Sequence, residues 1–235
     1  MFHKIYFTPG EATSGKSQLC LQAIVHANLL HGASSMYMPA TRRAARDGAA
    51  ERIVSNTYLE RVSGDGEELL ARLRTLRLLL ERLSGTPAPV RLLVIDSVAA
   101  PTREAARDDY ALRAAQLLEI SALLRRYADE FELAVLASNH VMDVVDPGEG
   151  PGGALQRAAT GGRALVSGGR EVTPALGLAW ASAVDARLFL AREAAASGPV
   201  RRTLRVVWSP DLPERVCSFS IGASGARGLL GPSTC

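Results

Sequence analysis

The sequence predicts an α/β fold: a mostly parallel, twisted sheet flanked by helices, with an antiparallel extension at its C-terminal end. Three observations predict it. Continuous apolar runs, which are typical of parallel strands covered on both faces, alternate with longer segments of helical pattern. Three strand-like segments then follow one another near the C-terminus with no helix between them. A length of 235 residues suits one substantial core, so we predict a single domain over residues 1–235.

The elements follow from local patterns. Between residues 67 and 83, leucines recur at steps of four and three, which gives a helix with one apolar stripe. We favour packing of this stripe on the domain's own sheet, although a coiled-coil partner would use the same pattern. Strands are predicted at residues 4–7, 34–38, 57–62, 91–97, 133–137, 184–191, 202–209 and 216–221, and helices at residues 16–30, 42–51, 67–83 and 109–130. Residues 222–228 are predicted to form a closing turn.

The segment after the first strand has the spacing of a phosphate-binding loop. It reads GEATSGKS and fits G-x-x-x-x-G-K-[ST] at every required position. The glycines let backbone N–H groups approach phosphates closely, the lysine reaches the β- and γ-phosphates, and the final serine can ligate Mg²⁺. A nucleotide site is therefore predicted, with Mg²⁺ as its metal. Its residues are Gly10, Glu11, Ala12, Thr13, Ser14, Gly15, Lys16, Ser17 and Gln18.

Polar residues lie at the C-terminal ends of two of the predicted buried strands. Asp96 ends the apolar run that begins at residue 91, where an acidic group can hold Mg²⁺ together with Ser17. Asn139 and His140 follow the next buried strand, at the edge where parallel sheets bind ligands, and are candidates for sensing the γ-phosphate. Asp96 could instead cap a turn, and His140 could lie in an ordinary surface turn.

Net charge, the length of apolar runs and the spacing of cysteines restrict the kinds of protein that this chain can be. The net charge of +3 permits contact with nucleic acid without requiring it. No apolar run approaches a membrane span, and no secretion signal is evident, so we expect an intracellular protein without membrane contact. The three cysteines lack metal-ligand spacing and are expected to be reduced thiols.

Several segments resemble the RecA-like recombinase paralogues of eukaryotes. They are VIDSVAAP at 94–101, TPALGLAWA at 173–181, RRTLRV at 201–206 and SPDLPE at 209–214. The resemblance spans nearly the whole chain and implies a RecA-like P-loop NTPase core that binds ATP and Mg²⁺. It also implies a sister recombinase paralogue as partner in a hetero-oligomer, and a nuclear role in homologous recombination and DNA crosslink repair. Residues 209–213 match the cap that covers ATP on a neighbouring subunit.

The same resemblance implies two DNA-facing segments. The first is residues 103–113, and the second is residues 143–171, which we predict to be a flexible Gly/Arg-rich loop. Arginines among glycines suit contact with the phosphates of single-stranded or branched DNA, although a surface loop without a ligand has the same composition. The candidate DNA residues are Arg103, Arg107, Arg113, Arg157, Arg163 and Arg170.

The chain also departs from these relatives. They carry a carboxylate just past the second strand that positions the attacking water, whereas residues 36–41 contain no acid. We therefore expect ATP binding with slow hydrolysis, and we assign no catalytic residue beyond the sensor candidates Asn139 and His140. Active recombinases have Gln where His140 stands, and residues 39–56 form a shorter segment than in relatives. We also expect this chain to lack the N-terminal helical domain of the family. The alternatives are a filament-forming, DNA-dependent ATPase and an inactive truncated fragment.

Overall fold

The computed structural model describes residues 4–40, 55–104, 109–144, 164–193 and 200–229, with only the backbone described at 103 and 104. The strands are β1 (Ile5–Pro9), β2 (Ser34–Pro39), β3 (Thr57–Leu59), β4 (Val90–Asp96), β5 (Ala134–Asn139), β6 (Val141–Asp143), β7 (Leu165–Ser167), β8 (Arg170–Pro174), β9 (Ala186–Glu193), β10 (Arg201–Trp208), β11 (Val216–Gly222) and β12 (Gly225–Gly228). The helices are α1 (Lys16–His31), α2 (Gly66–Ser84), α3 (Ala99–Glu104), α4 (Tyr110–Glu130) and α5 (Gly177–Ala181).

One nine-stranded sheet organises the domain, in the order β12-β11-β10-β9-β1-β5-β4-β2-β3. The strands from β9 to β3 in that order are parallel. The strands β10, β11 and β12 are added antiparallel beyond β9. This arrangement confirms the predicted α/β fold with its C-terminal antiparallel extension.

Helices cover both faces of the sheet because the parallel strands are apolar at successive positions. Met36, Met38 and Leu93 belong to the larger core cluster, together with leucines of α2 and α4. Tyr37 and Val94, one residue further along the same strands, pack with Cys20 and Ile24 of α1 on the other face. A strand buried on both sides needs this pattern, since neighbouring side chains point to opposite faces.

The predicted loop over residues 143–171 was partly wrong. Its C-terminal part contains β7 and the start of β8, which form a three-stranded antiparallel sheet with β6 in the order β6-β8-β7. Gly168 and Gly169 make the turn between β7 and β8, with φ of 61° and 77°, values that L side chains rarely adopt. Residues 145–163 of that prediction lie outside the described part of the chain.

Other differences are smaller. The short helices α3 and α5 were not predicted, and the predicted closing turn at 222–228 includes the strand β12. The helix predicted at 42–51 lies outside the described residues. Among the described residues, Cys20 and Cys217 are free thiols, and Cys235 lies outside them. No helix in the described ranges is long and apolar enough to span a membrane.

Candidate nucleotide site

The candidate site lies at the carboxyl edge of the parallel strands. Pro9, the last residue of β1, pairs with Asn139 at the end of β5, and Pro39 of β2 pairs with Asp96 at the end of β4. The loop from Gly10 to Gly15 leaves the sheet here and runs into α1. Strand pairing therefore brings the loop, Asp96 and Asn139 to one edge of the sheet, although they are far apart in the sequence.

The backbone of the loop has the form that its glycines allow. Gly15 has a φ of 106° and Thr13 a φ of 63°, so the chain reverses sharply before α1. A β-carbon on Gly10 would lie 2.7 Å from both the Leu190 carbonyl oxygen and Ser14 Oγ. No side chain caps the start of α1. Its first N–H groups and the positive end of its dipole therefore face the loop, as an anion site requires.

Lys16 is buried, with 8% of its surface exposed. Its ammonium group donates to the carbonyl oxygens of Gly10 at 2.7 Å and Glu11 at 2.8 Å, so it folds back over the loop. Burial lowers the pKa of Lys16, and the negative charges of Asp96 and Glu11 act in the opposite direction. A buried cation beside uncapped N–H groups favours a ligand that is strongly negative.

Asp96 is held from two sides. One carboxylate oxygen accepts a hydrogen bond from Ser138 Oγ, and the other accepts from the Tyr37 hydroxyl at 3.4 Å. Burial and the nearby Asp96 charge raise the pKa of Tyr37, which keeps this hydroxyl a donor. Ser138 and Tyr37 were not predicted as site residues. A serine just before Asn139 at the same strand end was the available signal for the first, and nothing local marks the second.

Two buried polar side chains at this edge have atoms without a hydrogen-bond partner among the described residues. Neither the oxygen nor the nitrogen of the Asn139 amide has a partner among the described residues, although the side chain is fully buried. Ser14 Oγ in the loop is also buried and without a partner. His140 is half-buried, and its carbonyl accepts from the Ala175 N–H at 2.9 Å. Unsatisfied buried amides are costly, so Asn139 and Ser14 are suited to a polar ligand.

These residues fit a nucleoside triphosphate with Mg²⁺. The loop supplies backbone donors and Lys16 a cation, while Asp96 and the exposed Ser17 supply oxygen ligands. Mg²⁺ in proteins commonly takes one or two carboxylate or hydroxyl ligands and completes its shell with phosphates and water. Ala12 and Thr13 are exposed at the mouth of the loop.

Three arginines from distant strands reach the same loop. Arg170 and Arg192 both bond the Glu11 carboxylate, and Arg202 Nε donates to the Thr13 carbonyl oxygen at 3.1 Å. Burial would raise the pKa of Glu11, but hydrogen bonds from Arg192, Ser167 and Arg170 outweigh it and hold the pKa below its usual value of 4.5. The sequence motif accepts any residue at position 11, so this cluster was not predicted.

The predicted DNA residues are placed differently from one another. Arg113 is half-buried and donates to the Ala175 carbonyl oxygen at 2.7 Å, and Arg170 is paired with two carboxylates. For both, contact with DNA stays a prediction. Arg107, Arg157, Arg163 and the side chain of Arg103 lie outside the described residues.

The predicted cap over a neighbour's ATP lies far from this chain's own loop. Asp211 pairs with Lys4, the residue that precedes β1, so residues 209–213 are at the amino edge of the sheet. The phosphate-binding loop is at the carboxyl edge, the length of β1 away, which is about 17 Å for five residues. Ser209 Oγ accepts from the backbone N–H groups of Asp211 at 3.3 Å and Leu212 at 3.1 Å, which fixes the turn.

Comparison with known proteins identifies the family. The Rad51 family model matches residues 4–228. The chain is 40% identical over 145 residues to the DNA repair protein XRCC3 of Bos taurus, a match covering 60% of this chain and 38% of that protein. It is 35% identical over 162 residues to a DNA repair protein XRCC3 homolog of Arabidopsis thaliana, covering 60% of this chain and 52% of the relative. It is 36% identical over 148 residues to DNA repair protein XRCC3 of Mus musculus, covering 60% and 40%. Each match thus spans about half or less of the relative's length. The sequence resemblance, the RecA-like sheet and the family match agree: the chain belongs to the Rad51 family.

Proposed function

We propose that this chain is an ATP-binding recombinase paralogue that acts in DNA repair by homologous recombination. In this proposal it binds single-stranded or branched DNA in the nucleus, together with a sister paralogue. The observation that carries the proposal is the convergence of the phosphate-binding loop, Asp96 and the unsatisfied Asn139 at one edge of a Rad51-family sheet. The names of the relatives, all DNA repair proteins, support the same process.

ATP is held by the loop and oriented by groups around it. Lys16 exchanges its two carbonyl partners for the β- and γ-phosphates, and the Asn139 amide bonds the γ-phosphate or its attacking water. Asp96 and Ser17 would hold Mg²⁺, which when bound would neutralise charge on the phosphates. His140 is a second sensor candidate, since an imidazole ring can donate a hydrogen bond to phosphate.

Hydrolysis is slow in this proposal. The described residues 36–40 at the end of β2 bring no carboxylate to the edge, and the hydroxyl of Tyr37 is turned toward Asp96. A hydroxyl with a raised pKa is a poor general base at neutral pH. ATP therefore acts as a ligand that stabilises the DNA-binding conformation of the chain, and it is hydrolysed only slowly.

The partner follows from the position of residues 209–213. Because this segment lies at the edge opposite the loop, it can cover ATP only on another subunit. A sister paralogue whose loop lies against residues 209–213 fits both this geometry and the family resemblance. In this proposal, the candidate arginines of residues 103–113 and 143–171 supply the positive charge that DNA phosphates need.

The experiment measures binding of fluorescent single-stranded and branched DNA to purified chain, with and without Mg–ATP, over a range of salt concentrations. We expect ATP-dependent DNA affinity in wild type, its loss in Lys16→Ala, and a steep fall with salt. Steady-state hydrolysis with single-stranded DNA is expected to stay well below about 1 per second.

Other outcomes favour the alternatives. Turnover of about 1 per second or faster would support a filament-forming, DNA-dependent ATPase instead. Absence of both ATP and DNA binding would support the inactive fragment. Affinity capture from nuclear extract tests the partner, because recovery of a Rad51-family paralogue is expected and recovery of none contradicts that part of the proposal.

A further inference from the structure

Glu11 makes contacts that phosphate binding does not require. It is the second residue of the loop, and 11% of its side-chain surface is exposed. One carboxylate oxygen accepts from Ser167 Oγ at 3.0 Å and from Arg192 Nε at 3.0 Å. The other accepts from an Arg170 N–H group. A partly buried carboxylate with three donors is fixed in position, since each charge-assisted bond restrains it.

Two of the three donors, Ser167 and Arg170, belong to the small sheet that adjoins residues 145–163 in the sequence. Ser167 ends β7 and Arg170 begins β8, on either side of the Gly168–Gly169 turn. Arg170 also donates to Asp143 Oδ2 at 2.7 Å, and Asp143 is the last residue of β6. One guanidinium group therefore joins the phosphate-binding loop to the strands on both sides of residues 145–163.

The strand β9 ties the small sheet to the same loop. The Arg192 N–H donates to Ser167 Oγ at 3.2 Å, and the Arg192 carbonyl accepts from the Gly168 N–H at 2.7 Å. Arg192 also donates to Thr13 Oγ1 at 3.3 Å. A β-carbon on Gly168 would lie 3.3 Å from a Glu11 carboxylate oxygen, so the turn approaches the loop closely.

We propose that Glu11 and Arg170 are positioning residues that link the affinity for ATP to the affinity for DNA. This inference rests on the proposed function, in which the loop binds ATP and the segment flanked by β6 and β7 faces DNA. A phosphate seated on the loop fixes the backbone at Glu11, which fixes Ser167 and Arg170. By reciprocity, DNA that further restrains the small sheet also restrains Glu11 and favours ATP by the same factor.

Arg170 could act through Glu11 or by direct contact with DNA, and the two roles predict different effects of its loss. Its side chain is 53% exposed, so a DNA phosphate could reach it, as the sequence analysis predicted. If Arg170 bonds DNA directly, its loss weakens DNA binding equally with and without ATP. If it acts through Glu11, its loss weakens DNA binding only when ATP is bound. In the Glu11→Gln variant, the loss of Arg170 then weakens DNA binding no further.

The experiment is a double-mutant cycle on the full chain. Glu11→Gln, Arg170→Gln and the double variant are compared with wild type. Arg72→Gln is the control, because Arg72 of α2 is similarly exposed and also pairs with two carboxylates, those of Glu60 and Glu68. Affinity for labelled single-stranded DNA is measured with and without Mg–ATP, and affinity for ATP with and without DNA.

The coupling factor is the ratio of DNA affinities with and without Mg–ATP, which must equal the ratio of ATP affinities with and without DNA. We expect a factor of about fivefold or more in wild type and in the control. Each single variant should reduce that factor to within about twofold of unity, and the double variant should add nothing. Arg170→Lys should restore part of the coupling, because it keeps the charge. Unfolding midpoints are measured as well. If Glu11 and Arg170 had a purely structural role, the variants would have lower stability and lower affinities for ATP and DNA, but an unchanged coupling factor.

The contrary results are distinct. Single variants that keep the wild-type coupling would overturn this inference and leave the proposed function standing. Wild type that binds ATP and DNA without coupling would contradict both this inference and the ATP-dependent DNA affinity of the proposed function. If Glu11→Gln fails to bind ATP, Asp143→Asn decides, because it lies outside the loop and removes one partner of Arg170. Unchanged coupling in that variant also overturns the inference. Wild type that binds no ATP contradicts the proposed function itself.

Discussion

Replacing Lys16 by alanine tests the nucleotide site most directly. In the structure its ammonium group donates to two carbonyl oxygens of the loop, and we propose that it donates to the β- and γ-phosphates instead when ATP is bound. The chain contains only two lysines, Lys4 and Lys16. Lys4→Ala is therefore a matched control, because it removes the same charge at the opposite edge of the sheet, where Lys4 pairs with Asp211.

The size of the effect follows from the two hydrogen bonds that Lys16 can donate. A hydrogen bond to a charged group contributes about 1.5–3 kcal/mol, so two at the lower end contribute about 3 kcal/mol. Since about 1.4 kcal/mol corresponds to a factor of ten, Lys16→Ala should weaken ATP binding roughly 100-fold. Its effect on the ligand-free fold should be smaller, because removing the buried ammonium also removes the cost of its desolvation.

Thermal unfolding with and without Mg–ATP is the assay. At an ATP concentration about 100 times the wild-type Kd, binding stabilises the fold by about 2.7 kcal/mol, against about 0.4 kcal/mol for a variant that binds 100-fold more weakly. For a domain of this size, these values correspond to a rise in Tm of about 5–11 °C in wild type and about 1 °C in Lys16→Ala. Lys4→Ala should keep the wild-type shift. Equal shifts in wild type and Lys16→Ala would refute the assignment of the loop as the ATP site.

Three further predictions concern neighbouring residues. Asp96→Asn should abolish the gain in ATP affinity that Mg²⁺ gives, measured by titration with Mg²⁺ and with EDTA; an unchanged gain would remove Asp96 from the metal site. Gly10→Ala places a β-carbon 2.7 Å from the Leu190 carbonyl oxygen and should lower the free energy of unfolding by about 1–3 kcal/mol in urea. Gly85→Ala, where nothing lies within 4 Å, is its control, and equal effects would contradict the packing argument. Glu11→Gln should destabilise the fold by about 1–2 kcal/mol at pH 7. Because the folded pKa of Glu11 is depressed, that difference should be complete above pH 4.5 and shrink as the pH falls through the lower folded value, and a difference independent of pH would argue against the ionised contacts.

The main sheet and the loop could be predicted because their signals are local. Continuous apolar runs gave β4 and β5, and leucine spacing gave α2 nearly to its ends. The three-stranded sheet was missed because its strands are short and lie next to a long Gly-rich tract. Gly168–Gly169 between two β-prone segments was a usable signal, since two glycines suit a two-residue hairpin turn.

The contacts around Asp96 and Glu11 could not be predicted in the same way. Tyr37 and Ser138 reach Asp96 from 59 and 42 residues away in the sequence. Ser167 and Arg192 reach Glu11 across 156 and 181 residues. No periodicity or spacing links residues so far apart, and only the pairing of strands places them together.

This difference bears on how the loop works. The positions that the motif fixes, Gly10, Gly15 and Lys16, act through backbone shape and one charge, and neither depends on distant sequence. The positions that the motif leaves open are free to contact whatever the fold brings near them. In this chain Glu11 uses that freedom to bond a serine of β7 and two arginines, one of β8 and one of β9. Phosphate binding can therefore be common to many proteins with this loop, while the response to phosphate depends on contacts that each fold supplies for itself.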